Sequence, residues 1–212
     1  MATFSGRRRS RELAWAAFRP SVGALALIPG IVLVGCGSSG VRTTAYGRTA
    51  GSSNPSGAQH MIAVPGSFDD YTRMTGADAD RVIQTIRNAQ AQQNSVYAAK
   101  MKIGVYQRRG DARQRLAFLG LAAGDHPTIA KELRTNPPSF EVDSALAAMP
   151  LTGPKDYPPG PLGGVLRCAP GSHGGAGCAW GDGSTVGVVA SSIASADELA
   201  RVTLALRKAA ER

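Results

Sequence analysis

The apolar positions of this chain change their spacing several times, and each change marks a boundary. From Val22 to Val34 they run on, broken only by glycines and by Pro29-Gly30. At thirteen residues the run falls short of the roughly 20 that a helix needs to span a hydrocarbon core. Gly37 to His60 has no apolar period and is rich in Gly, Ser, Thr and Asn, the composition of a flexible tether. Patterned sequence begins with Met61-Ile62-Ala63-Val64-Pro65, a short strand stopped by Pro-Gly. Ser67 to Tyr71 follows as a polar turn anchored by Phe68 and Tyr71. Val82, Ile83, Ile86 and Ala89 share one face at helical spacing, with Asp78 and Asp80 near the start, which predicts a helix over 75–92.

Met101, Ile103 and Val105 then alternate with Lys100, Lys102 and Gly104, the pattern of a half-buried strand. A turn at Arg108-Arg109-Gly110-Asp111 leads into a second, more apolar strand from Arg113 to Leu121. Asp125-His126-Pro127 opens a short helix running to about Arg134, with proline at its tolerated first position, and Asn136-Pro137-Pro138 ends it. The connector from Ala148 to Gly164 holds five prolines and is expected to run extended. Leu162 to Cys168 is a third strand, and 177–181 with 184–191 form a hairpin about Asp182-Gly183. Ser195-Ala196-Asp197-Glu198 is a capping box, after which Leu199, Val202 and Leu206 give a final helix its apolar stripe. Arg207, Lys208 and Arg212 suit the negative end of that helix. The sum is an α+β domain over 61–212: an antiparallel sheet of about five strands, helices packed on one face, and a C-terminal helix.

Composition changes this picture mainly at the N-terminus. The chain has 212 residues, 43% of them hydrophobic, with 24 Lys and Arg against 15 Asp and Glu. Arg7, Arg8, Arg9, Arg11 and Arg19 precede the apolar run, and a basic start before a short apolar stretch is the shape of a secretory signal. The run ends in Leu33-Val34-Gly35-Cys36, followed by Gly37-Ser38-Ser39-Gly40, and this resembles the bacterial lipobox. The resemblance implies cleavage before Cys36, with its thiol as the lipid acceptor and small side chains ahead of it for the signal peptidase. Residues 1–35 are then a lipoprotein signal and 36–60 a tether. Losing that signal removes five arginines and one acid, leaving 19 bases against 14 acids in 177 residues, too mild a balance to suggest nucleic-acid binding. Gly35-Cys36-Gly37-Ser38-Ser39-Gly40 also reads as G-x-G-x-x-G, but no βαβ unit surrounds it.

Several stretches further along resemble a group of uncharacterised actinobacterial secreted or membrane-tethered proteins. They are Ile62-Ala63-Val64-Pro65, Gly104-Val105-Tyr106, Gly160-Pro161-Leu162-Gly163-Gly164-Val165-Leu166-Arg167-Cys168, Cys178-Ala179-Trp180-Gly181-Asp182, Thr185-Val186-Gly187-Val188-Val189 and Glu198-Leu199-Ala200. The resemblance implies an exported domain and carries no activity with it.

Of the three cysteines, Cys168 and Cys178 remain after acylation of Cys36, on neighbouring strands and in an oxidising setting, so a disulfide is expected. The competing pattern, Cys168-x4-His173-x4-Cys178, copies part of a zinc knuckle, but Val165 stands where the first cysteine belongs, and no metal or other cofactor is expected. Lys100, Lys102, Arg108, Arg109, Arg113 and Arg115 concentrate positive charge on one hairpin, either as a contact for anionic lipid or wall polymer or as the solvated face of a sheet. Asp69-Asp70 reads as a solvated turn. His60, His126 and His173 fall in no nucleophile-elbow or HExxH pattern.

The expected function is therefore that of an acylated lipoprotein on the extracytoplasmic face of the cell membrane, a non-enzymatic binding or interaction module. Its partner is an envelope protein, a wall polymer or a small ligand. The alternatives are an exported hydrolase centred on His126 or His173, and a signal-anchored, single-pass protein with a regulatory ectodomain.

Overall fold

Alternation along the strands builds one antiparallel sheet, and the phase of that alternation decides what covers each face. The computed structural model describes residues 60–192 and 194–212, all within one unit. The expected signal, its lipobox Leu33, Val34, Gly35 and Cys36, and the tether up to residue 59 lie outside the described residues. The strands are β1 (Ser67–Phe68), β2 (Tyr71–Arg73), β3 (Lys102–Arg108), β4 (Asp111–Ala122), β5 (Lys155–Tyr157), β6 (Val165–Pro170), β7 (Ala176–Gly181) and β8 (Thr185–Ser191). Their order across the sheet is β1-β2-β3-β4-β8-β7-β6-β5, with every neighbouring pair antiparallel. The helices are α1 (Ala77–Ala91), α2 (Ser95–Lys100), α3 (Pro127–Thr135), α4 (Pro138–Ala147) and α5 (Ala196–Ala210).

The α+β class and the antiparallel sheet agree with the sequence reading, but the sheet has eight strands rather than about five. The additional ones, β1, β2 and β5, are two or three residues long, too short to display an alternation. The turn anchored by Phe68 and Tyr71 is a hairpin, with Asp69 at φ 45° and the two rings stacked at 5.5 Å. β5 lies inside the proline-rich connector, paired at the sheet edge with β6.

Helices cover both faces, not one. On β4, Leu116, Phe118 and Ala122 join a core with Leu199, Val202 and Leu206 of α5. The intervening Leu121 packs with Ile129 and Leu133 of α3, against which Ile83 and Ile86 of α1 also lie. On β7, Cys178 and Trp180 face α5, while Ala179 packs with Val142 and Leu146 of α4. For the same reason β3 is not half-buried: Ile103 and Val105 on one side and Gly104 and Tyr106 on the other are all buried. α2 and α4 are absent from the sequence reading. Pro137-Pro138 does end α3, but Pro138 also serves as the first residue of α4.

Met61 to Ala63 is extended, yet its partner is the end of the chain rather than the sheet. Met61 N–H donates to Arg212 O at 2.9 Å, Arg212 N–H to Met61 O at 3.1 Å, and Ala63 N–H to Ala210 O at 3.0 Å. Ile62 and Glu211 form an antiparallel bridge. This segment crosses the α5 face over Gly104 and Gly120, where a Cβ would come within 2.8 Å of Val64 Cγ1 and of Ile62 Cγ2 respectively.

Candidate functional site

The bridge between residues 62 and 211 brings the first and last residues of the domain together, and a buried charged cluster forms where they meet. Thr203, Arg207 and Glu211 follow at intervals of four along one line of α5 and its end, and that line faces the core. The side chains of Arg207, Glu211 and Asp182 are 2%, 1% and 3% exposed. A buried guanidinium is tolerable only when its donors are used. Nε donates to Glu211 Oε1 at 3.1 Å, Nη2 to Asp182 Oδ2 at 3.0 Å, and Nη1 to the carbonyls of Gly163 and Pro159 at 2.7 and 3.2 Å. The proline-rich connector is thereby tied to α5.

Each carboxylate has one oxygen saturated by its own surroundings. Glu211 Oε1 also accepts from Trp180 Nε1 at 2.5 Å and Thr185 Oγ1 at 2.7 Å. Asp182 Oδ1 accepts from Ser184 N–H at 2.7 Å, Ser184 Oγ at 2.8 Å and Thr185 N–H at 2.8 Å. Asp182 N–H in turn donates to Thr185 O at 3.0 Å, which puts the hairpin tip at Gly183-Ser184. That is one residue later than the sequence suggests, and Asp182 is consequently buried beneath the turn.

The outer side of the cluster is completed by His60, whose side chain is 22% exposed. Its Nδ1 is 3.7 Å from Asp182 Oδ2 and 3.6 Å from Glu211 Oε2. Both separations exceed hydrogen-bonding distance. His60 Nδ1 and Glu211 Oε2 are buried atoms with no hydrogen-bond partner. Two carboxyl groups thus share one guanidinium in a buried setting, and Glu211 Oε2 is the oxygen that Arg207 leaves without a partner.

The residues singled out in the sequence fall elsewhere. Cys168 and Cys178 are directly opposite on β6 and β7 and form the expected disulfide, fully buried on the α5 face. The six basic residues do not make one patch. Lys100 ends α2, Lys102 opens β3 and Arg108 closes it, six steps or about 20 Å from Lys102. Lys102 pairs with Asp125 at 3.1 Å, and Arg108 with Asp70 at 3.2 Å. The hydrogen bond that Arg108 donates to Asp70, with the charges of Asp70 and Glu198 beside it, holds the guanidinium above its ordinary pKa despite partial desolvation. Arg109 donates to Asp69 O, Arg113 pairs with Asp111, and Arg115 donates to Ala112 O. His126 caps α3, its Nδ1 accepting from Thr128 N–H at 3.2 Å, and His173 is exposed in the β6–β7 turn. Among the described residues neither imidazole reaches a serine hydroxyl or a carboxylate.

Sequence reasoning missed Asp182, Glu211, Arg207 and the place of His60. The only local signal was the four-residue spacing of Arg207 and Glu211; the other members come from the far end of the chain and from a hairpin turn. No known protein family, curated protein or solved structure matches the chain. Among the described residues no helix is long and apolar enough to cross a membrane.

Proposed function

We propose that the chain is a cell-envelope lipoprotein, acylated at Cys36 and held at the outer face of the cytoplasmic membrane, with residues 61–212 acting as a non-enzymatic binding or interaction module. The observation that carries this reading is the buried Cys168–Cys178 bridge, a bond typical of proteins that leave the reducing cytosol. Two further features support it. Met61 to Ala63 are fastened to the last residues of the chain, which gives a tether a firm attachment. His126 is committed to capping a helix and His173 stands in an exposed turn, which favours binding over hydrolysis.

The partner is an envelope protein, a wall polymer or a small ligand. Exposed Arg109 and Arg113 in and beside the β3–β4 turn offer the basic contact for an anionic surface, each contributing about 1 kcal/mol near a charged membrane. Feeding cells a fatty-acid analogue tests the anchor. The wild-type protein is expected to take up label and sediment with membranes, and Cys36→Ala to do neither. Label retained by Cys36→Ala contradicts the lipobox assignment. An unlabelled, full-length wild-type chain in the membrane favours the signal-anchored alternative instead.

A further inference from the structure

We propose that His60, Asp182 and Glu211 form a binding site for a divalent transition-metal ion of the zinc type, with a fourth position open to the outside. The three residues each offer one ligand atom, and those atoms lie within 4.8 Å of one another. The separations from His60 Nδ1, 3.6 and 3.7 Å, are too long for hydrogen bonds. They are close to the roughly 3.3–3.6 Å between ligands placed tetrahedrally at about 2.0–2.2 Å from zinc. An imidazole with two carboxylates suits zinc and its neighbours in the first transition row, whereas calcium and magnesium favour sites built from oxygen alone.

The hydrogen-bond pattern points the same way. Around a metal, the oxygen or nitrogen that does not ligate is held by a partner, so that the ligating atom is aimed. Glu211 shows this division: Oε1 takes three donors, and Oε2, buried and without a partner, faces His60. On Asp182, Oδ1 is held by Ser184 and Thr185, while Oδ2 keeps a lone pair beyond its bond to Arg207. Arg207 thus orients both carboxylates without occupying Glu211 Oε2. Charge also fits. A divalent ion with neutral His60 converts the cluster's single negative charge to a single positive one, which a hydroxide or an anionic ligand at the open position cancels. Of the three ligands His60 is the one that reaches solvent, its side chain 22% exposed against 3% and 1% for Asp182 and Glu211.

The site is independent of acylation at Cys36. It joins residue 60 to residue 211, so an ion here would staple the point where a tether meets the domain to the end of α5. The test is calorimetric titration of the full-length protein with Zn2+ after stripping with a chelator, together with thermal unfolding. One equivalent is expected to bind and to raise the melting temperature, with affinity falling as pH is lowered, because protons compete for the ligands. His60→Ala, which alters only the exposed edge, is expected to weaken binding at least about tenfold while leaving the circular dichroism unchanged. Glu211→Gln keeps the oxygen that receives Trp180, Thr185 and Arg207 and should lose affinity similarly; His173→Ala should bind as wild type. Wild-type protein that shows no saturable Zn2+ binding overturns the proposal. So does binding of undiminished affinity and stoichiometry in His60→Ala.

Discussion

A single hydrogen in place of a side chain at position 187 makes room for the indole of Trp180 on the neighbouring strand. A Cβ there would lie 2.2 Å from Trp180 Cζ2, and Trp180 is held on its other side by stacking on Phe118 at 5.8 Å and by its bond to Glu211. Gly187→Ala is expected to destabilise the domain by about 1–3 kcal/mol or more, read as a lower denaturant midpoint. Gly183→Ala, with nothing within 4 Å, should stay within about 0.5 kcal/mol. Tyr106 makes a second residue-scale case. Its hydroxyl donates to Pro65 O at 2.9 Å, and burial pushes the phenol well above its ordinary pKa of 10. The folded chain therefore holds this proton more tightly than the unfolded one. Its contribution is complete below pH 10 and is lost as pH rises beyond it. Tyr106→Phe should cost about 1 kcal/mol at neutral pH and flatten the alkaline fall in stability. The cysteine pair was legible as residues because two thiols on adjacent predicted strands of a chain read as exported have one obvious use. His60, Asp182 and Glu211 were not, since residue type alone made them a tether histidine, a turn aspartate and a terminal acid. Only tertiary structure buries them.

At the scale of elements, long periodic segments were readable and short ones were not. β3, β4, β7, β8, α1, α3 and α5 all lie where alternation or a helical stripe placed them, within a few residues. β1, β2, β5 and α2 span two to six residues, and their formation depends on neighbours that a local pattern does not contain. The mistaken single-sided sheet has a different origin. Gly104 was counted with Lys100 and Lys102 on the polar side of the alternation, whereas Gly104 and Gly120 are the places where 62–64 crosses the α5 face. Arg207 was read as a residue suited to the helix dipole; in fact it links α5 to the β7–β8 turn and to the 159–163 connector. Arg207→Ala leaves two buried carboxylates without their counter-charge and is expected to cost about 3–5 kcal/mol in chemical denaturation. An unchanged midpoint would mean that the cluster is not desolvated in solution. Replacing both Cys168 and Cys178 by alanine should remove about 2.5–3 kcal/mol, the chain-entropy value for a loop of this length.

At the scale of the whole molecule, the proposed leader and tether precede a domain whose two ends are fastened together. If the chain is cut before Cys36, its net charge falls from +9 to +5, so a little under half of the basicity of the full sequence belongs to the leader. What the domain then presents is a disulfide-bridged sheet covered on both faces, with the His60, Asp182, Arg207 and Glu211 cluster where its first and last residues meet. All of this presupposes processing and export. The intact mass of the protein recovered from membranes of the cells that make it tests that most directly. The account predicts a chain starting at Cys36, heavier by its acyl groups, and lighter by the hydrogens lost in joining Cys168 to Cys178. An unprocessed 21.9 kDa chain with three free thiols would contradict it.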